Sequence, residues 1–228
     1  MHRSALLFTL VLPGLAAAET LAALSEADLT RGLRGALAQG IDRAVVQLGR
    51  ENGYLSDPRV RIPLPEALAR ADATLRRFGG ARRTDELITA MNRAAEAAVP
   101  EARALLQAAV TQMTIQDARE ILAGGDTTAT AYFRRHTESA IAARYAPVVR
   151  RATEKVRLAE AYNQFAGRAL KYGLIKPEDA DLNAYITRKA LDGLYLTIAE
   201  EERSIRHNPA RQQPLLRAVF GALGSDHP

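Results

Sequence analysis

The feature that most constrains the fold is the helical spacing of apolar residues near the beginning of the chain. From Leu29 to Leu48 they recur every three or four positions, which places them along one face of a helix. Similar windows follow through the sequence, and none shows the alternation of apolar and polar residues that is typical of a strand. The pattern predicts an all-α fold, an irregular bundle of roughly eight or nine helices with no sheet.

The composition favours close packing of helices. The 228 residues are 47% hydrophobic but only 5% aromatic, and the chain contains no Trp. A chain of this length and hydrophobic content can bury a core, so we do not expect it to be disordered. Its abundant Ala favours helices that pack through small side chains. We expect a single all-α domain at residues 19–224 and a frayed tail at 225–228.

Residues 1–18 have the pattern of a signal peptide. Arg3 supplies a basic start, and the apolar run Ala5–Leu12 is too short to span a membrane. Small residues at Ala16–Ala18 precede an expected cleavage site after Ala18. The alternative is an apolar N-terminal helix of a cytosolic protein. We favour export to the periplasm, with no transmembrane segment in the mature chain.

The lack of Cys excludes several kinds of chemistry. Without Cys there is no disulfide, no thiol nucleophile, no Cys-ligated metal and no lipoprotein anchor. The formal net charge of +5 comes mostly from Arg, and the basic residues are interleaved with Asp and Glu. Such interleaving is typical of a solvated surface. Nucleic acid is not an expected partner in the predicted compartment.

No local motif predicts catalysis or a cofactor. Beyond the signal peptide, His136, His207 and His227 have none of the spacings that ligate a metal on a helix. The sequence contains no Gly-x-Ser-x-Gly elbow and no phosphate-binding loop ending in Gly-Lys-Ser/Thr. We therefore predict no catalytic, cofactor-binding or metal-binding residues, and no cofactor.

The clearest signals for the end of one helix and the start of the next lie in the middle of the chain. Thr114 and Asp117 match a capping box at a helix start. Gly124 and Gly125 are expected to end that helix, because glycine adopts the left-handed conformation without steric cost. The sequence thus predicts a tight corner between two helices.

Asp126 is expected to cap the second helix of this corner. Its carboxylate would accept from the backbone N–H of Thr128 or Ala129. The alternatives are an anion site at the helix start or a cation site that uses Asp117 as well. The Asp126 carboxylate disfavours an anion, and too few carboxylates are near for a cation. We interpret Asp117, Gly124, Gly125 and Asp126 as structural caps.

The longest irregular segment is predicted at Leu55–Pro65. Its three prolines are incompatible with a helix. We interpret the segment as a fixed strap that packs Leu55, Val60 and Ile62 onto the bundle. A mobile lid over a binding site is the alternative.

The second half of the chain is predicted to be mostly helical. Pro147 kinks or restarts a helix, and the pattern continues from Val148 to about Leu170. A last long helix is expected from about Leu182 to His207, followed by a short terminal helix at 215–220.

Asn92, Arg93 and Glu96 are polar residues on an Ala-rich helix. Arg93 and Glu96 are three residues apart and can pair on one helical face. The flanking Ala residues allow another helix to approach, which favours a partly buried ion pair that ties helices together. An anion or carboxylate site built on Arg93 is the alternative.

Asp192 lies near the edge of the apolar stripe of the last long helix. A carboxylate there needs a partner, which Arg93 or Lys189 would supply. We expect Asp192→Ala to lower the melting temperature. Gly193 in mid-helix indicates close contact with another element. The candidate polar cluster consists of Asn92, Arg93, Glu96, Lys189 and Asp192.

The acidic run Glu200–Glu202 is interpreted as a solvated face of the same helix. Glu202 and Arg206 are four residues apart in the order that favours pairing, which fits that interpretation.

Several stretches together resemble a known family. The chain is similar to domain-of-unknown-function family 4197, a group of uncharacterised exported bacterial proteins. The resemblance implies a helical fold and an exported location, and brings no catalytic residues. Family members often carry a lipoprotein Cys; this chain does not, so tethering to a membrane is not implied. The matching stretches are Leu33–Leu48, Arg61–Pro65, Met91–Glu96, Met113–Thr130, Lys189–Tyr195 and Ala199–Arg211.

The sequence favours a non-catalytic protein of the cell envelope that binds a small ligand or an envelope protein. One alternative is a hydrolase acting on an envelope component through Glu96 and Asp192. Another is lipid or membrane-surface binding through segments such as Arg211–Leu223. An apolar cavity above roughly 300 Å³ would favour ligand binding. A large exposed apolar patch would favour a surface that binds a partner protein. A cleft holding both acids within about 5–10 Å would favour hydrolysis.

Overall fold

A computed structural model describes residues 25–79, 81–154, 156–171, 175–176 and 179–207. No residue in these ranges lies in a strand, which confirms the all-α fold class. The predicted signal peptide, terminal helix and C-terminal tail lie outside these ranges. The number of helices stays a prediction for the same reason.

The described helices follow in chain order, and a 3₁₀ turn at Val99–Ala102 joins the third helix to the fourth. They are α1 (Glu26–Gly49), α2 (Glu66–Arg77), α3 (Ala81–Ala98), α4 (Arg103–Gln112), α5 (Ile115–Ala123), α6 (Thr128–Thr153), α7 (Arg157–Lys171) and α8 (Leu182–His207).

The two longest helices, α6 and α8, pack against each other at the centre of the fold. Helix α3 packs on α6, α1 packs on α8, and α4 fills the space beside α1 and α6. Helices α2 and α7 pack at the periphery of this core, with α2 chiefly on α3 and α7 on α3 and α8. The core therefore consists of side chains from the central helices, including the fully buried Phe133, Tyr145 and Leu194.

The capping box predicted at the start of α5 is confirmed. The Thr114 hydroxyl accepts from the Asp117 N–H at 3.1 Å, and the Asp117 carboxylate accepts from the Thr114 N–H at 2.8 Å. The Thr114 hydroxyl also donates to the Asp117 carboxylate at 2.7 Å. This bond, together with the one from the Thr114 N–H, holds the pKa of Asp117 below its ordinary value. Ionised, this carboxylate also lies at the favourable end of the helix dipole.

The helix predicted to run on from Val148 is interrupted. Helix α6 passes through Pro147 but ends at Thr153, and α7 begins only at Arg157. The Thr153 hydroxyl lies 2.6 Å from the Asn183 side-chain oxygen at the start of α8. Helix α7 buries Ala159 and Tyr162, so tertiary packing overrides the local helical pattern.

The irregular segment at residues 50–65 is a fixed strap, as predicted. Val60 and Ile62 are buried, although Leu55 is only half-buried. The residue that anchors the strap most deeply is Tyr54, which is fully buried and whose hydroxyl donates to the Ala190 carbonyl at 2.7 Å. The strap therefore forms part of the core rather than a lid over it.

Gly193 makes the close contact that the sequence indicates. A Cβ at this position would lie 2.7 Å from Cε1 of Tyr54 and 3.2 Å from Cβ of Val60. Because the Tyr54 ring is fixed by burial and by its hydroxyl bond, it has little room to move. The strap can lie directly on α8 only because residue 193 has no side chain.

We expect Gly193→Ala to lower the free energy of unfolding by about 1–3 kcal/mol, since the overpacking outweighs the better helix propensity of Ala. The matched control is Gly35→Ala in α1, where a new Cβ meets nothing within 4 Å. There we expect a gain of about 0.5–1 kcal/mol. Urea unfolding of the variants measures both effects, and a stabilised Gly193→Ala variant would contradict the close contact.

Candidate functional site

The structure contradicts the predicted role of Asp126 at the corner between α5 and α6. The N-cap residue of α6 is Thr127, and no side chain within the corner caps the helix. Asp126 instead lies beside His207, with Oδ1 3.0 Å from Nε2. The contact with His207 holds the pKa of the Asp126 carboxyl below its ordinary value. Asp126 therefore contacts the end of α8 rather than the start of α6.

The start of α6 is capped from another helix, by Glu202 of α8. Its carboxylate accepts from the N–H of Ala129 at 3.0 Å and from the N–H of Thr130 at 2.8 Å. The Thr130 hydroxyl donates to it at 2.9 Å. Glu202 is only 2% exposed, so the interpretation of the acidic run as a solvated face is wrong for this residue. A buried carboxylate here is stabilised by the positive end of the α6 dipole.

Arg206 completes this interaction at the end of α5. Its guanidinium lies 2.9 Å from the Glu202 carboxylate, which confirms the predicted pairing of these residues. It also donates to the carbonyls of Ile121 at 2.7 Å and Gly124 at 3.3 Å. A cation thus meets the negative end of one helix and an anion the positive end of the next. One buried ion pair on α8 holds both sides of the corner.

Gly124 ends α5 for a reason other than the one predicted. Its φ of −87° and ψ of 175° are extended, not left-handed. A Cβ would lie 2.3 Å from Oγ1 of Thr128 and 2.9 Å from the Glu120 carbonyl oxygen, so the tight corner requires glycine. Gly125 is not in the left-handed region either, and a Cβ there would meet nothing within 4 Å.

Asn92 of the predicted polar cluster holds the strap by its backbone. Its amide nitrogen donates to the Ile62 carbonyl at 3.0 Å, and its amide oxygen accepts from the Ile62 N–H at 2.8 Å. Asn92 is fully buried, so these bonds satisfy groups that water cannot reach.

Glu96, one helical turn further along α3, holds the strap at a second place. One carboxylate oxygen accepts from the N–H of Tyr54 at 3.0 Å and of Leu55 at 3.1 Å. The other lies 2.5 Å from the Arg93 guanidinium, which confirms the predicted ion pair. Arg93 also donates to Glu51 and Asn52 at the start of the strap. Both oxygens of Glu96 are therefore engaged in structural bonds.

Lys189 and Asp192 have other partners. Asp192 lies 3.5 Å from Arg134, and its side chain is 49% exposed, so the prediction that it pairs with Arg93 or Lys189 is wrong. The Arg134 guanidinium also stacks 4.6 Å from the Tyr195 ring centroid. Lys189 lies 5.9 Å from the Tyr185 ring centroid. The error arose because a position beside the apolar stripe is not necessarily inside the core.

A candidate site is a cleft of about 620 Å³ between the end of α6, helix α7 and the first turn of α8. No sequence pattern predicted this cleft, because its polar residues come from separate helices and share no spacing. Its lining residues are Arg150, Thr153, Glu154, Ala159, Glu160, Asn163, Gln164 and Asn183.

Two asparagines make this cleft rich in donors. The Asn163 amide oxygen accepts from the Leu182 N–H at 2.9 Å, and the Asn183 amide oxygen lies 2.6 Å from the Thr153 hydroxyl. These bonds fix both side chains by their oxygens, and no acceptor in the described part of the chain bonds their amide nitrogens. Arg150 likewise has no ion-pair partner among the described residues. Such groups suit a ligand that carries carbonyl or carboxylate oxygens.

Acidic groups lie in the same cleft. Glu154 and Glu160 line it and form no ion pair with any described residue, although Glu160 receives a long hydrogen bond of 3.4 Å from Gln164. Buried Ala159 and Thr153 form its floor. The cleft therefore offers a cation, anions and amide donors within one surface. Across the described residues no group of His, Cys, Asp and Glu is arranged to hold a metal ion.

A second large cleft, on the outer face of α3, is less suited to a polar ligand. It measures about 630 Å³ and is lined by Arg82, Asp85, Glu86, Thr89 and Ala90. Arg82 pairs with Glu86 at 2.8 Å, and Asp85 pairs with Arg76 at 2.6 Å, so its charges are already neutralised.

A family model described as a protein of unknown function, DUF4197, matches residues 23–221. No curated protein and no solved structure matches the chain. Among the described residues, no helix combines the length and the apolar character needed to cross a membrane.

We expect Glu96→Ala to release the strap. The N–H groups of Tyr54 and Leu55 would lose their acceptor inside the protein, which lowers the free energy of unfolding by about 2–3 kcal/mol. Hydrogen exchange should accelerate at these two amides in particular. The matched control is Asp192→Ala, for which its exposure now predicts a change within about 0.5 kcal/mol. Equal losses in the two variants would contradict the assignment of Glu96 to the strap.

Proposed function

Because the chain belongs to the DUF4197 family of proteins of unknown function, we propose its role from its geometry. We propose an exported, non-catalytic binding protein of the cell envelope, with the cleft between α6, α7 and α8 as its ligand site. The signal-peptide pattern of residues 1–18 supports export to the periplasm.

The observation that carries the proposal is the set of unused polar groups in the cleft. The amide nitrogens of Asn163 and Asn183 and the guanidinium of Arg150 have no acceptor among the described residues. Polar groups that line a concave surface and are fixed by their other bonds are pre-organised for a ligand. They favour a bound molecule over a merely solvated surface.

We propose a short peptide with free ends as the ligand class. Arg150 would pair with the terminal carboxylate, since guanidinium and carboxylate match in shape and charge. Glu154 and Glu160 would attract the terminal ammonium, and the two asparagines would donate to peptide carbonyls. Asn92 already makes this kind of contact inside the protein, where its amide pairs with the backbone of Ile62.

A carboxylate-dependent hydrolase is less well supported. The acids that the sequence analysis proposed for it, Glu96 and Asp192, bond to different groups, and both oxygens of Glu96 accept structural hydrogen bonds. A general acid or base needs an oxygen free to exchange a proton with its substrate.

Calorimetric titration of the mature protein, residues 19–228, with trialanine tests the proposal. We expect saturable binding, and binding about tenfold weaker for Arg150→Gln, which removes one charge-assisted bond. The control variant is Arg151→Gln, because Arg151 is an exposed neighbour that does not line the cleft. Trialanine with an acetylated amino end and an amidated carboxyl end serves as the uncharged control ligand. No saturation by about 10 mM, or equal binding by Arg150→Gln, would contradict a peptide site in this cleft.

A further inference from the structure

The connection between α2 and α3 exposes an aromatic side chain among arginines. Phe78 directly follows the last residue of α2 and is 86% exposed, the largest exposed fraction of any large hydrophobic residue in the described part of the chain. Gly79 follows it with φ of +81°, in the left-handed region. We refer to Arg76, Arg77, Phe78, Arg82 and Arg83 as the basic tip.

Residues 76–83 contain arginines on both sides of Phe78 and no acidic residue. Arg76 pairs with Asp72 at 2.7 Å and with Asp85 at 2.6 Å, which ties the end of α2 to the start of α3. Arg82 pairs with Glu86 at 2.8 Å. The acids near the turn are thereby used within the protein.

Arg77 and Arg83 are both exposed and have no ion-pair partner among the described residues. They flank Phe78 from the last residue of α2 and the first turn of α3. The turn thus presents two uncompensated cations and one apolar ring to the outside. A single exposed apolar residue is common on protein surfaces. The combination of Phe78 with Arg77 and Arg83, which have no ion-pair partner among the described residues, indicates a binding surface.

We propose that the basic tip docks on the surface of an anionic phospholipid bilayer. Phe78 inserts at the boundary between headgroups and acyl chains, and Arg77 and Arg83 contact lipid phosphates. A membrane surface meets both needs at once, because aromatic rings favour that boundary and anionic lipids attract arginine. A soluble polyanion would satisfy the arginines but leave the ring in water. Arg83 also lines a smaller cleft with Glu160 and Gln164, which belong to the proposed peptide cleft as well. The docking proposal does not depend on the peptide proposal.

Co-sedimentation of the mature protein with lipid vesicles tests this docking. We expect binding to vesicles that contain phosphatidylglycerol, little binding to pure phosphatidylcholine, and a decrease as salt rises. The double variant Arg77→Gln/Arg83→Gln should bind about 30-fold more weakly, from the usual contribution of an arginine near an anionic surface. Phe78→Ala should bind on the order of tenfold more weakly.

Matched surface substitutions elsewhere serve as controls. Arg144→Gln removes an exposed arginine of α6 that has no ion-pair partner among the described residues, and Val46→Ala shortens an apolar side chain that is 61% exposed. Both should bind as the unchanged protein does, and circular dichroism should show that all variants keep their helices. Unchanged binding by the tip variants would overturn the proposal and would point to another segment, such as residues 211–223. A second result would also overturn the proposal: the protein binds heparin but not the vesicles, and Phe78→Ala binds heparin as well as the unchanged protein does. The tip would then recognise a soluble polyanion rather than a membrane.

Discussion

The arrangement of the fold depends on one buried ion pair, between Glu202 and Arg206 on α8. Helices α5 and α6 meet at a corner whose free backbone groups would be costly to bury unpaired. Glu202 accepts from the N–H groups at the start of α6, and Arg206 donates to the carbonyls at the end of α5. Because α8 also packs on α1 and carries the strap at Gly193, the position of the corner is linked to the rest of the core.

The same physical device recurs on α3. Asn92 and Glu96 lie one turn apart and bond to backbone groups of the strap, so buried polar side chains replace the regular hydrogen bonds that an irregular segment lacks. Asn92, Glu96, Glu202 and Arg206 therefore fix the structure. Other polar groups have no bonding partner among the described residues, and several of these line the cleft beside α7 or lie at the basic tip. For that reason we place the proposed peptide and membrane contacts there.

The features that could be predicted from the sequence are those that depend on interactions between residues close together in the chain. The all-α class, the capping box of Thr114 and Asp117 and the Arg93–Glu96 pair follow from spacings of three or four residues, and the structure confirms them. Asp126 failed as a cap because both N–H groups predicted for it have other acceptors. The Thr128 N–H donates to the Gly125 carbonyl, and the Ala129 N–H donates to Glu202, far away in sequence. The sequence does not distinguish Glu202 from its more exposed neighbours in the acidic run, and the residues of the cleft come from separate helices. The buried cap made by Glu202 and the position of the cleft therefore could not be predicted without knowing which helices pack together.

A double-mutant cycle on Glu202 and Arg206, followed by urea unfolding, tests the central claim most directly. Glu202→Ala alone should lower the free energy of unfolding by about 3–5 kcal/mol, because it removes the counter-ion of Arg206 and leaves the N–H groups at the start of α6 without their acceptor. The double variant should lose less than the sum of the single variants, with a coupling of about 1–3 kcal/mol. The more exposed pair between Arg43 of α1 and Glu201 of α8, whose side chains are 47% and 20% exposed, should show less than about 1 kcal/mol. Equal coupling in both pairs, or additive losses at Glu202 and Arg206, would contradict the account.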